Sequence, residues 1–97
     1  MGAFMIVYAR VDDAARFAAY VEAVQPLIAQ HGGKLVGRGA PPVVLEGEWP
    51  WGTVGIVSFP SIEAARTFWD SPEYGEVKKL RQGASEFQVV LAEMTPG

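Results

Sequence analysis

The chain has no cysteine and a single histidine. The first absence excludes disulfides and thiolate nucleophiles, and with them the usual mark of a secreted scaffold. The second leaves too few ligands for a zinc centre, which draws on several His or Cys side chains. No metal and no cofactor is expected, and a haem held by histidine would rest on His31 alone. Positive charge is also scarce: eight Lys and Arg stand against eleven Asp and Glu, for a net charge of −3. A nucleic-acid partner needs a clustered basic face. Only Lys78, Lys79 and Arg81 lie close together here, and they read as a solvated face. No apolar run approaches the ~20 residues that cross a bilayer. The opening MGAFMIVYAR lacks the basic segment and small-residue cleavage site of a signal peptide, and Ile6 stands where a myristoylation signal wants Ser or Thr. The expectation is a soluble cytoplasmic protein with neither membrane nor nucleic acid as partner, folded as one domain over residues 1–97.

What is present is apolar and patterned, with 49% hydrophobic residues enough to build a core. Phe4 to Arg10 reads as a strand, β-branched and aromatic with no Gly or Pro. Asp12 or Asp13 caps a helix whose Phe17, Val21, Val24 and Ile28 recur at spacings of a helical stripe. Pro26 lacks an N–H and crowds the preceding turn, which predicts a kink or break near Gln25. His31-Gly32-Gly33 ends the helix, one glycine taking the left-handed cap. Lys34 to Gly39 is a second strand, broken by Ala40-Pro41-Pro42 and expected to resume over Val43 to Glu48 as an edge strand. Trp49-Pro50-Trp51-Gly52 makes a turn, and Thr53 to Phe59 returns antiparallel. Ser61 caps the next helix, along which Ala64, Ala65, Phe68 and Trp69 make an apolar stripe. Ser71 then caps a further one, with Pro72 at its first position and Tyr74, Val77, Leu80 and Arg81 at helical spacing. Glu86 to Met94 is the last strand.

The order β-α-β-β-α-β, with an extra helical turn or two before the last strand, predicts an α+β, ferredoxin-like fold: a four-stranded antiparallel sheet with helices on one face. Right-handed crossovers put the first and third strands side by side at its centre. Yet the first strand is apolar on both sides, Phe4, Ile6 and Tyr8 against Met5, Val7 and Ala9. Leaving such a face wet would cost several kcal/mol at ~25 cal/mol per Å². A homodimer packed sheet against sheet is therefore expected.

FPSIEAARTFWDSPEYGEVKKLR, together with His31-Gly32-Gly33, Arg38-Gly39 and Glu46-Gly47-x-Trp49, resembles the bacterial domain-of-unknown-function family thirteen-thirty. The likeness runs from about Tyr8 to Leu91, and the order and spacing of the motifs carry it. It implies a dimeric α/β barrel, the superfamily that also holds cofactor-free monooxygenases, muconolactone isomerases and haem-dependent dismutases. It implies no particular activity. Where family members often read Arg-Gly-Gly, this chain has Arg38-Gly39-Ala40, which puts in doubt any close approach of a ligand to that backbone.

The candidate site residues each have a structural reading beside the functional one. His31 is a general base by its ordinary titration range, or a helix C-cap satisfying a carbonyl. Arg38 and Glu46 are a cleft pair orienting a carboxylate, or a salt bridge that protects an edge strand. Trp69 is a ligand wall or core. Trp49 and Trp51 are a lid, a dimer contact or a hairpin tip. Tyr74 and Arg81, seven apart, share a helix face and either bind a substrate oxygen or belong to a structural helix. Tyr8 and Tyr20 belong to strand and helix cores, with hydroxyls that need partners if buried. The third strand, TVGIVSF, lacks the basic-Gly-aromatic pattern of RNA-recognition modules. Two functions follow. One is a small-molecule site using acid–base chemistry without a cofactor, with His31, Arg38 and Glu46 catalytic and Trp69, Tyr74 and Arg81 binding. The other is a non-catalytic dimeric binding or regulatory domain. A pre-formed pocket with convergent polar groups favours the first.

Overall fold

β1 (Ala3–Val11) runs through the middle of a four-stranded antiparallel sheet of order β2-β3-β1-β4. The computed structural model describes residues 2–49 and 52–95; Pro50 and Trp51, assigned above to a turn, lie outside them. The remaining elements are α1 (Ala14–Gln30), β2 (Lys34–Ala40), β3 (Thr53–Phe59), α2 (Ile62–Asp70), α3 (Pro72–Lys78) and β4 (Ser85–Glu93). This is the expected ferredoxin-like α+β fold. Within one chain the sheet is open, with β2 and β4 at its edges. Among the described residues no helix is long and apolar enough to cross a membrane.

The period of the strands sorts the apolar residues onto two faces. Met5 pairs with Val57 and Leu91, and Val7 with Val89; these side chains belong to the core under the helices. Ile6, one residue along, pairs with Ile56 and Val90, and Tyr8 with Val54. None of these five belongs to that core, and Val90 is 59% exposed. The molecule is a slab of 35 × 31 × 17 Å, one sheet and one helical layer thick.

The caps read from sequence hold the helices. Asp13 accepts from the Arg16 N–H at 3.1 Å, Ser61 from Ala64 at 3.1 Å and Ser71 from Tyr74 at 3.2 Å. At the other end of α1, Gly32 (φ 76°) is the left-handed cap. Gly33 donates to the Ile28 carbonyl and Gly32 to that of Ala29, at 2.9 and 3.0 Å, the paired bonds of a Schellman motif.

Two expectations are corrected, a break of α1 near Gln25 and a resumed second strand. α1 passes through Pro26 as one helix of 17 residues. Pro26 and Glu22 both lie on the exposed face, so the carbonyl that the ring deprives of a partner meets water. Meanwhile Tyr20, Val21, Val24, Leu27 and Ile28 are buried on both sides of the proline and hold the helix together. Val43 to Glu48 does not resume the second strand. The β2 ladder is already irregular, with register shifts between Leu35 and Gly37 and between Gly37 and Ala40. Pro41 and Pro42 then offer no N–H to continue it. The connection to β3 therefore spans residues 41–52, with Val43 and Leu45 at 84% and 93% exposure. Gly52 closes it at φ 81°, where a Cβ would collide with the Ala9 carbonyl oxygen.

Candidate functional site

The sheet and α1 do not fill the space between them. A cavity of about 320 Å³ lies there, walled by Val7, Ala9, Val57, Val21, Val24 and Ile28, with Leu35, Phe17 and Phe87 beside them. Glycine at position 55 leaves room in its floor, because Gly55 also lines it. The apolar stripe of α1 supplies one wall and the helix-facing residues of β1 and β3 the other. Polar groups are few: the Tyr20 phenol, the Thr53 hydroxyl, which donates to the Ala9 carbonyl at 3.4 Å, and Arg38. A second hollow of about 430 Å³ shares Val11, Phe17, Val21 and Arg38 with the first and adds Glu22 and Gln25. It is the polar mouth of the apolar cavity. Pockets of this size and lining are typical small-molecule sites.

Of the residues singled out in the sequence, Arg38 stands at this mouth. It is exposed, and among the described residues it joins no ion pair. Glu46, its expected partner, is an exposed residue between β2 and β3, outside any strand. Arg38→Ala should therefore change stability by less than about 0.5 kcal/mol in urea melts. A loss of several kcal/mol would reveal a structural role.

His31 lies elsewhere, at the carboxyl end of α1. Its Nδ1–H donates to the Leu27 carbonyl at 2.9 Å, since a carbonyl only accepts. Its ring meets the edge of Phe68 at 5.7 Å. It lines neither the cavity nor its mouth.

Trp69 and Arg81 each lie against Tyr74. Trp69 is half-buried, 5.1 Å from the Tyr74 ring and with Lys78 Nζ 4.8 Å above it. It borders a smaller groove of about 240 Å³ with Met5, Val89 and Leu91. α3 ends at Lys78, so Arg81 is beyond the helix that was expected to carry it. The turn brings it back: Arg81 donates from its N–H to the Lys78 carbonyl, Ala84 donates to the Arg81 carbonyl, and Asp12 and Asp13 donate to that of Ala84. Arg16 ties the same turn to α1 through the Gln82 carbonyl at 2.8 Å. Arg81 is thus pressed inward, over Phe87 at 4.0 Å, and its Nη2 donates to Tyr74 Oη at 3.4 Å.

The residue that sequence reasoning left in the core is Tyr20. It lines the cavity, and its hydroxyl is 3.0 Å from that of Tyr74. Burial, then the neighbouring Tyr74, hold its phenol well above the ordinary range, with Arg81 pulling the other way. It stays protonated. The one sequence signal was the need for a hydroxyl partner inside an amphipathic helix; the partner itself is 54 residues away. Among the described residues no three His, Asp or Glu side chains gather as a metal site would.

Known structures repeat this architecture. A protein of unknown function from Rhodopseudomonas palustris superposes with TM-score 0.76 at 25% identity, over 98% of this chain and 84% of that one. SnoaB, a cofactor-independent oxygenase from Streptomyces nogalater, does so with TM-score 0.71 at 15% identity, over 99% and 95%. A dimeric protein of unknown function and ferredoxin-like fold from Bacteroides fragilis gives 0.64 at 16%, over 96% of each chain. A comparison with curated proteins finds no match. The family model described as a domain of unknown function, DUF1330, matches residues 2–95, and the chain belongs to that family.

Proposed function

We propose that the protein is a homodimer, packed sheet against sheet, in which each protomer binds a small, mostly apolar organic molecule between α1 and the sheet. The observation that carries the binding role is the cavity of about 320 Å³, apolar-walled and opening at Arg38. Arg38 supplies a planar fork of donors at the entrance, so the ligand class that fits best has an apolar body and a carboxylate or other polar oxygen. The proposal gives His31 and Glu46 no part in the cavity. Support for the dimer comes from the apolar sheet face around Ile6, Ile56 and Val90, on the side away from the helices, and from the dimeric Bacteroides fragilis neighbour. SnoaB is an example of this fold working as an oxygenase without a cofactor; for this chain that is analogy of fold.

The test is a thermal-shift panel of one- and two-ring hydrocarbons, each with and without a carboxylate or ketone. A ligand at 100 times its Kd stabilises by about 2.7 kcal/mol, an increase of roughly 10 °C or more in Tm for a domain of this size. Arg38→Ala should erase any preference for the carboxylates. If no compound at millimolar concentration raises Tm, the binding role is wrong.

A further inference from the structure

The cluster behind the cavity holds more donors than acceptors. Arg81 is only 7% exposed, and among the described residues no carboxylate pairs with it. Its Nη2 reaches Tyr74 Oη, and its Nε has no partner. Such a buried cation is costly unless its hydrogen-bonding needs are met. The flanking rings of Phe87 and Tyr20, 4.0 and 5.6 Å from the guanidinium carbon, compensate only in part.

The direction of the Arg81 bond follows from what each group can do, and between the two phenols either can donate. A guanidinium only donates, whereas a phenol both donates and accepts. Arg81 Nη2–H, the Tyr74 hydroxyl and the Tyr20 hydroxyl are three donors sharing two phenolic oxygens. One hydroxyl hydrogen is left without an acceptor inside the cluster. Tyr20 lines the cavity and Tyr74 does not. With Arg81 donating to Tyr74, and Tyr74 to Tyr20, the hydrogen left over is that of Tyr20, and the cavity is where an acceptor can meet it.

We infer that the Arg81–Tyr74–Tyr20 chain makes Tyr20 the hydrogen-bond donor to a carbonyl or enolate oxygen of a ligand in the cavity. Tyr74 and Arg81 are positioning residues: linked hydrogen bonds polarise one another, and the cation at the far end makes Tyr20 a stronger donor. The high protonation range of the buried Tyr20 phenol keeps that hydrogen in place. This inference rests on the cavity binding a small molecule, as proposed above, and adds the chemical class, an apolar ketone or its enol with the oxygen at the Tyr20 end.

The bicyclic ketone indanone and its parent hydrocarbon indane test it, since they differ chiefly in one acceptor oxygen. The wild-type protein should bind indanone more tightly than indane by calorimetry. The carbonyl stretching band of bound indanone should lie at lower wavenumber than in hexane. Tyr20→Phe should reduce the preference for the ketone roughly tenfold and return the band toward its hexane position. Tyr74→Phe and Arg81→Met, which keep the ring and much of the packing, should shift the band part of the way back. A merely structural role for either residue would not move it. If Arg81→Met fails to fold, Tyr74→Phe alone decides the positioning role. If both compounds bind and no variant alters their ratio or the band, the donor role of Tyr20 is wrong while the cavity stands. If neither compound binds the wild-type protein, the cavity reading falls and takes the inference with it.

Discussion

Replacing Phe68 by alanine is expected to remove about 3–5 kcal/mol of stability, the range for truncating a fully buried aromatic ring. Phe68 is 2% exposed, and it is the ring through which the helical layer is joined. It lies 4.7 Å from Tyr74 in α3, 5.4 Å from Phe59 in β3 and 5.7 Å from His31 at the end of α1. Truncation therefore opens a void bordered by four elements at once, and none can close it without leaving another. Aromatic pairs of this geometry add about 0.5–1.5 kcal/mol beyond the area they bury. A domain of this size has only about 5–15 kcal/mol in total, so the variant should melt some 15–25 °C lower. Melts must be run at one protomer concentration, because association adds to apparent stability. A loss below about 1 kcal/mol would mean that α2 and α3 do not pack on the sheet as described.

Phe68 was legible in the sequence as part of the stripe Ala64, Ala65, Phe68 and Trp69. So were the caps, since Asp13, Ser61 and Ser71 act through local geometry that a short window contains. The strand order follows equally from local signals, once the right-handed crossover rule is applied. What was not legible depends on pairs distant in sequence. Pro26 carries the local mark of a helix break, but burial on both sides of it keeps one continuous helix. Val43 to Glu48 has the composition of a strand; whether it pairs depends on a neighbour that Pro41 and Pro42 have already turned away from.

The site shows the same division. Arg38 was found because an arginine beside a strand break advertises itself. Tyr20 was assigned to the core because its spacing is that of a buried stripe, and it is indeed buried. Its second property, bordering an unfilled space, belongs to the volume between α1 and the sheet. No window of sequence contains that volume. Tyr74 and Arg81 were paired for being seven residues apart on one helix; they meet because α3 stops at Lys78 and the following turn folds Arg81 back under it.

Ile6→Asp should convert the proposed dimer to monomer with little change in the fold of each protomer. Ile6 is at the middle of the central strand, opposite Ile56 on one side and Val90 on the other. All three point away from the helices and contribute nothing to the core beneath them. In a lone protomer the new carboxylate would meet water. In a sheet-to-sheet dimer it would be buried without a partner, at a cost of several kcal/mol, and twofold symmetry would introduce it twice. Each 1.4 kcal/mol weakens association tenfold, so a micromolar sample should sediment as monomer while its circular dichroism stays native. Exposed Val43 and Leu45 belong to no strand of the sheet, and changing either to Asp should weaken the dimer less than the central substitution. The wild-type protein decides the matter: a stable monomer at that concentration would mean the apolar face is tolerated in water. An Ile6→Asp protein that remained dimeric would place the interface on another surface.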